Sequence, residues 1–230
     1  MEITYHGHST VQITTGGKSL IIDPFLSFNP LAKAKPESIK VDAVLLTHAH
    51  DDHILDAGPI SQANGDAPIV SIVELATWLS WKGLSTIGMN MGGTVDLGFA
   101  QVKMIQAFHS SGIALPDEKR IVNAGMPAGF IIRAEGKTIL HTGDTALFGD
   151  MKMIGEREKI DLAFIPIGGH FTMDPEDALQ AAEWFKARQV VPIHYDTFPP
   201  IKQDAGAFAS RLEEKGIRGR VLAPGETLTL

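Results

Sequence analysis

The chain contains no cysteine. A disulfide framework, a thiolate zinc site, an iron–sulfur cluster and a cysteine nucleophile are therefore excluded, and any metal must be held through nitrogen and oxygen. There is also no apolar run of about 18 or more residues, so no segment reads as a membrane-spanning helix. Positive charge is scarce: 20 Lys and Arg stand against 27 Asp and Glu, for a net charge of −7. That balance speaks against a broad nucleic-acid or anionic-membrane surface. The opening residues, Met1–His6, carry neither the basic start nor the apolar core of an export signal, and a cytoplasmic protein is the expectation. Linker-like and low-complexity stretches are missing too. With 230 residues, 44% of them hydrophobic, the expectation is a single domain over 1–230 that supplies its own core.

What is present begins with hairpins. Val11 and Ile13 alternate with Gln12 and Thr14, then Gly16-Gly17 leads into Lys18–Ile22, which predicts two short strands around a tight turn. Phe130–Arg133, Glu135-Gly136 and Lys137–Leu140 repeat the pattern. Aligning Lys18 with Lys137 places Gly17 on Gly136 and Leu20 on Ile139, and each second strand runs towards an aspartate, Asp23 or Asp144. Two related halves are one reading; a chance likeness of two apolar hairpins is the other. Further strands are expected at Ala43–Leu46, Ala67–Ser71, Val102–Ala107, Leu162–Pro166 and Gln189–Ile193. Between them, Ile72, Leu75, Ala76 and Leu79 form a helical stripe. Asp174-Pro175-Glu176-Asp177 is a helix start, and a last helix is expected from about Asp204 to Lys215. The class is α/β with a mixed sheet system.

The chemistry concentrates in Thr47-His48-Ala49-His50-Asp51-Asp52-His53, where three of the 9 histidines fall within six residues. In extended backbone, residues two apart point to one side, so His48 and His50 can close on one cation. Asp52 and His53 follow where the chain should turn into a helix and can address a second cation. Imidazole and carboxylate suit Zn²⁺ or a similar divalent ion. His109, Asp144, His170 and His194 each sit near the exit of an apolar strand, where α/β enzymes place their sites.

The H-x-H-x-D-H run, followed in order by His109, Asp144 and His194, resembles the metallo-β-lactamase superfamily. Tyr5-His6-Gly7-His8-Ser9, Ile22–Phe25, Met126–Gly129 and Gly143–Phe148 are similar to the UPF0173 metal-dependent hydrolases, related to an L-ascorbate-6-phosphate lactonase branch. The resemblance implies a four-layer αβ/βα sandwich. It implies that His48, His50 and His109 hold one metal, that Asp52, His53 and His194 hold a second, and that Asp144 bridges them. Two divalent ions are implied, zinc first, with manganese, nickel or iron as alternatives. The implied reaction is hydrolysis of an ester, lactone, thioester or phosphodiester of a small molecule by a metal-bridging hydroxide, with Asp52 orienting the nucleophile. Position 51 is Asp where many relatives carry Gly, and its side chain is expected to face solvent.

Three further residues are expected around this centre. Asp23 would orient a ligand histidine through that ring's free nitrogen. His8 and His170 would contact substrate or hold a ligand from behind. Phe25–Pro30 and Phe198–Ile201 would form an apolar entrance. The rival readings are a one-iron persulfide dioxygenase, a nuclease, and a non-catalytic scaffold with a retained metal site. A homo-oligomer is open, with Trp78 and Trp81 as either interface or core; core is the expectation.

Overall fold

The computed structural model describes residues 1–230. One seven-stranded sheet has the order β16-β1-β2-β3-β4-β5-β6. Its strands are β1 (Glu2–Gly7), β2 (Thr10–Thr15), β3 (Lys18–Ile22), β4 (Ala43–Leu45), β5 (Ile69–Ile72), β6 (Thr86–Met89) and β16 (Thr227–Thr229). The second sheet has the order β15-β14-β13-β12-β11-β8-β7. It comprises β7 (Thr94–Asp96), β8 (Gln101–Gln106), β11 (Ala128–Ala134), β12 (Lys137–His141), β13 (Leu162–Pro166), β14 (Gln189–Ile193) and β15 (Arg218–Gly219). A two-stranded arm of β9 (Gly112–Leu115) and β10 (Arg120–Asn123) stands outside both. The helices are α1 (Asp51–Ile54), α2 (Ala57–Ala63), α3 (Val73–Ser80), α4 (Asp150–Arg157), α5 (Pro175–Phe185) and α6 (Ala205–Glu214).

Period-two alternation builds the layers. Phe130 and Ile132, Ile139, Leu162 and Phe164, and Val191 and Ile193 join a core shared with Ile3, Val11, Ile13, Leu20 and Ile22 of the other sheet. The intervening Ile131, Leu140, Ala163, Ile165 and Val190 face outward, against Met151 of α4, Ala178 and Phe185 of α5, and Phe208 and Leu212 of α6. Ile60 of α2 and Leu75 and Leu79 of α3 cover the first sheet. The result is helix, sheet, sheet, helix. No helix is long and apolar enough to cross a membrane.

The two sheets share one topology. In each, three antiparallel strands (β1-β2-β3 and β8-β11-β12) continue into three parallel ones (β4-β5-β6 and β13-β14-β15). The hairpins read from the sequence, β2-β3 and β11-β12, occupy equivalent places. Thr15 pairs with Lys18 in one and Ala134 with Lys137 in the other.

The helix starting at Asp174 forms as expected, its carboxylate accepting the Asp177 N–H at 2.9 Å, and Asp204 caps α6 in the same way. The tryptophans depart from expectation. Trp78 is half-buried, but Trp81 is 78% exposed, at the C-cap of α3 and off the buried stripe of Leu75, Ala76 and Leu79.

Candidate metal centre

Strands β1, β3 and β4 run in one direction, as do β8, β12 and β14 in the other sheet. The segments that follow them carry His8, Asp23, His48, His109, Asp144 and His194. All six residues therefore gather at one rim of the sandwich, past the carboxyl ends of these strands. Backbone bonds clamp the sheets together there: Ala128 N–H donates to Thr47 O at 2.9 Å and His194 N–H to His8 O at 2.8 Å. Gly143 has φ +63°, and a Cβ at that position would overlap the Ala128 carbonyl, so only glycine delivers the chain to Asp144 in this way. His8, Asp23 and His194 adopt φ of +55°, +47° and +54°. That conformation is uncommon for non-glycine residues, and strain of this kind concentrates at functional sites.

Two donor clusters form. His48, His50 and His109 bring their ring nitrogens within 4.8 Å of one another, as do the donor atoms of His8, Asp52, His53 and His194. His48 Nε2 lies 2.9 Å from His50 Nδ1. After the extended His50, which N-caps α1, the first helical turn presents Asp52 and His53. Asp51 stays exposed, as expected. Asp144 stands between the clusters, its Oδ2 at 3.8 Å from His109 Nε2, 3.4 Å from His53 Nε2 and 2.9 Å from His194 Nε2.

Asp23 orients two of the clustered histidines from behind. Its Oδ1 accepts the Thr47 N–H at 2.8 Å, and its Oδ2 accepts the Thr47 hydroxyl at 2.6 Å and His53 Nδ1–H at 2.8 Å. Because the Thr47 hydroxyl donates to Asp23, its oxygen accepts from His48 Nδ1–H at 3.0 Å. Both rings are thereby anchored through Nδ1–H with Nε2 directed at the cluster. Thr47 was missed at the sequence level; its place between an apolar strand and the first histidine was the available signal.

His8 enters the second cluster directly. Its Nε2 meets Asp52 Oδ2 at 3.1 Å and its Nδ1 meets Thr197 Oγ1 at 2.9 Å. Phe25 and Phe198 pack edge-on against the His8 ring at 5.6 and 5.5 Å. They close over His8 instead of forming the expected entrance. Asp56, another residue not singled out from the sequence, accepts the Leu26 and Ser27 N–H groups and fixes this loop. The cavity that opens on the centre has a volume of about 380 Å³ and is lined by His50, Asp52, His109, Ser110, Asp144, Phe171 and His194. His170 is exposed and stacks edge-on against Phe171 at 4.5 Å; it is Phe171 that reaches the cavity.

The charges fit bound cations. Asp23 and Asp144 are buried at 0% and 2% exposure, and no lysine or arginine pairs with Asp23, Asp52 or Asp144. Buried anions require a compensating cation. Burial would raise the Asp144 carboxyl, but His194 and His53 hold it well below its ordinary value. Burial would lower His53, but Asp144 and Asp23 hold it well above. Burial, reinforced by His53, keeps His48 well below its ordinary value, and burial with His194 lowers His8 to about 4. Ionised carboxylates and neutral imidazoles are the forms that bind metal, so Asp144 and His48 stand ready, while His53, raised by its two carboxylate neighbours, would give up its Nε2 proton to an incoming cation. The buried His53 Nε2 and Asp144 Oδ1 have no hydrogen-bond partner.

Comparison with known proteins agrees with this geometry. Residues 2–194 match the β-lactamase superfamily domain family. Among curated proteins, a UPF0173 metal-dependent hydrolase of Geobacillus thermodenitrificans is 54% identical and YtkL of Bacillus subtilis, of the same group, 51% identical; both matches cover the whole of each chain. Among solved structures, Igni18, a metallo hydrolase from Ignicoccus hospitalis, is 40% identical with a TM-score of 0.90, over 100% of this chain and 97% of that one. YhfI of Bacillus subtilis, a metallo-β-lactamase fold protein, shares the fold at 17% identity and a TM-score of 0.74 over 99% of both chains. The helix–sheet–sheet–helix layering, the two donor clusters with Asp144 between them and these relatives lead to one conclusion: the chain belongs to the β-lactamase superfamily, in its UPF0173 group of metal-dependent hydrolases.

Proposed function

We propose that the protein is a two-cation hydrolase that cleaves an ester, lactone, thioester or phosphodiester bond of a small molecule, with zinc as the first choice of metal and manganese, nickel or iron as alternatives. The observation that carries the reading is the position of Asp144, whose Oδ2 lies within 3.8 Å of His109 in one cluster and within 3.4 Å of His53 in the other. His48, His50 and His109 would hold the first cation, Asp52, His53 and His194 the second, and Asp144 both. When bound, such ions lower the pKa of a water from 15.7 to roughly 7 and polarise the bond to be cleaved.

The side chains do the rest. Asp52 is the partly exposed carboxylate of the cavity, with 29% of its side chain accessible. His8 holds its Oδ2, which fixes the carboxylate's orientation. Asp52 is the group placed to accept the proton of the attacking water and return it to the leaving group as the new bond to carbon or phosphorus replaces the old one. Asp23 and Thr47 keep the His48 and His53 rings from turning as charge develops.

The expected outcome for Asp144→Ala and His50→Ala is loss of metal and of turnover together. Metal analysis and a panel of ester, lactone, thioester and phosphodiester substrates check it. Full activity in a variant stripped of metal contradicts the scheme.

A further inference from the structure

The cavity over the metal centre continues into a second one. His109 and Ser110 line both, and the second, of about 470 Å³, runs along Phe108 and Met126 to Ile121 on the β9-β10 arm. Phe108, Met126 and Ile121 are 53%, 52% and 77% exposed, and Phe171, at the mouth of the first cavity, is 54% exposed. Large apolar side chains left open to water beside a reaction centre mark a surface that a ligand covers. Phe108 is braced by Phe148 at a ring distance of 5.0 Å. Beneath Ile121 lies Gly112, where a Cβ would approach the Ile121 methyl to 2.8 Å; its bare backbone gives that side chain its seat.

The charge of this surface is equally informative. Neither cavity is lined by a lysine or an arginine. Recognition of a phosphate or carboxylate away from the metals depends on such groups. Apart from His109 at its junction with the metal centre, the polar side chains of the groove are Gln106, Ser110, Ser111 and Asn123, and none of these four carries charge.

We propose that the groove from Phe171 and Phe108 to Met126 and Ile121 receives the apolar arm of a neutral ester, thioester or lactone, whose reactive carbonyl then lies at the metal centre. The proposal rests on the hydrolase reading for the identity of the reactive group. The overall reaction is balanced by water alone: the acyl–oxygen or acyl–sulfur bond breaks, water supplies OH to the acyl group, and its proton leaves with the alcohol or thiol. A substrate anchored by a phosphate far from the metals finds no partner in the groove.

The test uses the zinc- or manganese-loaded full chain. Its substrates are p-nitrophenyl acetate, butyrate and octanoate, ethyl and octyl acetate for an arm on the leaving side, and bis-p-nitrophenyl phosphate. In parallel, acetate, octanoate and octyl phosphate are titrated calorimetrically into wild type and into Met126→Ser and Ile121→Ser. Both side chains are exposed and hold no ligand residue, so the fold should survive, which circular dichroism verifies. The expected result is about a tenfold rise in kcat/KM from the two-carbon to the eight-carbon arm on the acyl or the leaving side. Either substitution should erase that rise while the acetate ester changes less than about twofold, and octanoate should bind about tenfold tighter than acetate. Flat series on both sides, unchanged variants, or turnover of the phosphodiester alone overturns the proposal and leaves the hydrolase reading standing. If nothing is turned over, the hydrolase reading fails, and the titration still decides: chain-length-dependent binding lost in Met126→Ser upholds the groove, and equal binding of acetate and octanoate overturns it.

Discussion

Asp23 illustrates how much one buried carboxylate can organise. It spends its two oxygens on Thr47 and His53, and through the Thr47 hydroxyl it also sets His48. Asp23→Ala should leave every ligand atom in the chain yet lower metal affinity by about 10–100-fold. Competition with a chromogenic chelator measures this, and unchanged affinity removes the orienting role. His141 shows the same economy outside the two donor clusters. It is fully buried between the sheets, accepts the Gly143 N–H at Nδ1, and donates from Nε2 to Ser9 O at 2.9 Å. Burial lowers its pKa, and a proton on Nδ1 would face the Gly143 N–H. Its folded pKa therefore lies below its unfolded value of about 6.5, so the unfolded chain binds more protons at acid pH. The stability it confers is complete above that pH and lost as pH falls below it. His141→Gln, compared with wild type at saturating metal, should flatten the fall of stability between pH 6.5 and 5. The difference in slope should be at most about 1.4 kcal/mol per pH unit. Parallel curves contradict this reading.

At the scale of elements, legibility followed the strength of local pattern. The β2-β3 and β11-β12 hairpins alternate apolar and polar residues around glycine turns, and β4 runs straight into the histidine motif, so both were visible in the residues alone. Asp174 announced α5 through cap chemistry, and α6 lies within the expected span from about Asp204 to Lys215. What stayed hidden was decided by tertiary contact. Trp81 is apolar but lies beyond the stripe of α3, so composition pointed inward where geometry points out. His170 is adjacent to the residue that lines the cavity, and a change of one position turns the side chain away. His8 was expected near the centre, but its bond to Asp52 was not legible, because it depends on β1 and β4 lying in one sheet with β2 and β3 between them. Helix α4 was missed because it buries only Met151 and Gly155. That glycine explains how α4 reaches α5: a Cβ there would overlap the Trp184 carbonyl, an atom of rigid backbone. Gly155→Ala should therefore destabilise the protein by about 1–3 kcal/mol, although alanine favours helices. A lower thermal midpoint in calorimetry is expected, and a higher one would show that α4 is not held that closely.

The whole molecule is two sheets of one topology whose strand exits converge on a single rim. Each sheet alone supplies an incomplete ligand set. His48, His50, Asp52 and His53 follow β4 in the first, while His109, Asp144 and His194 follow strands of the second. Closing the sandwich is what creates both clusters, and it also buries carboxylates that require cations. The seven candidate ligand positions could be picked out because their order and spacing resemble a known superfamily; the groove leading to Ile121 was not legible, because its walls come from an arm with no strong pattern of its own. The measurement that bears most directly on this account is metal content by mass spectrometry, on untagged protein purified without chelator, for wild type and His194→Ala. About two divalent ions per wild-type chain, falling to about one in the variant, is the predicted result. One ion or none in wild type after reconstitution with zinc and manganese would contradict the two-cation centre.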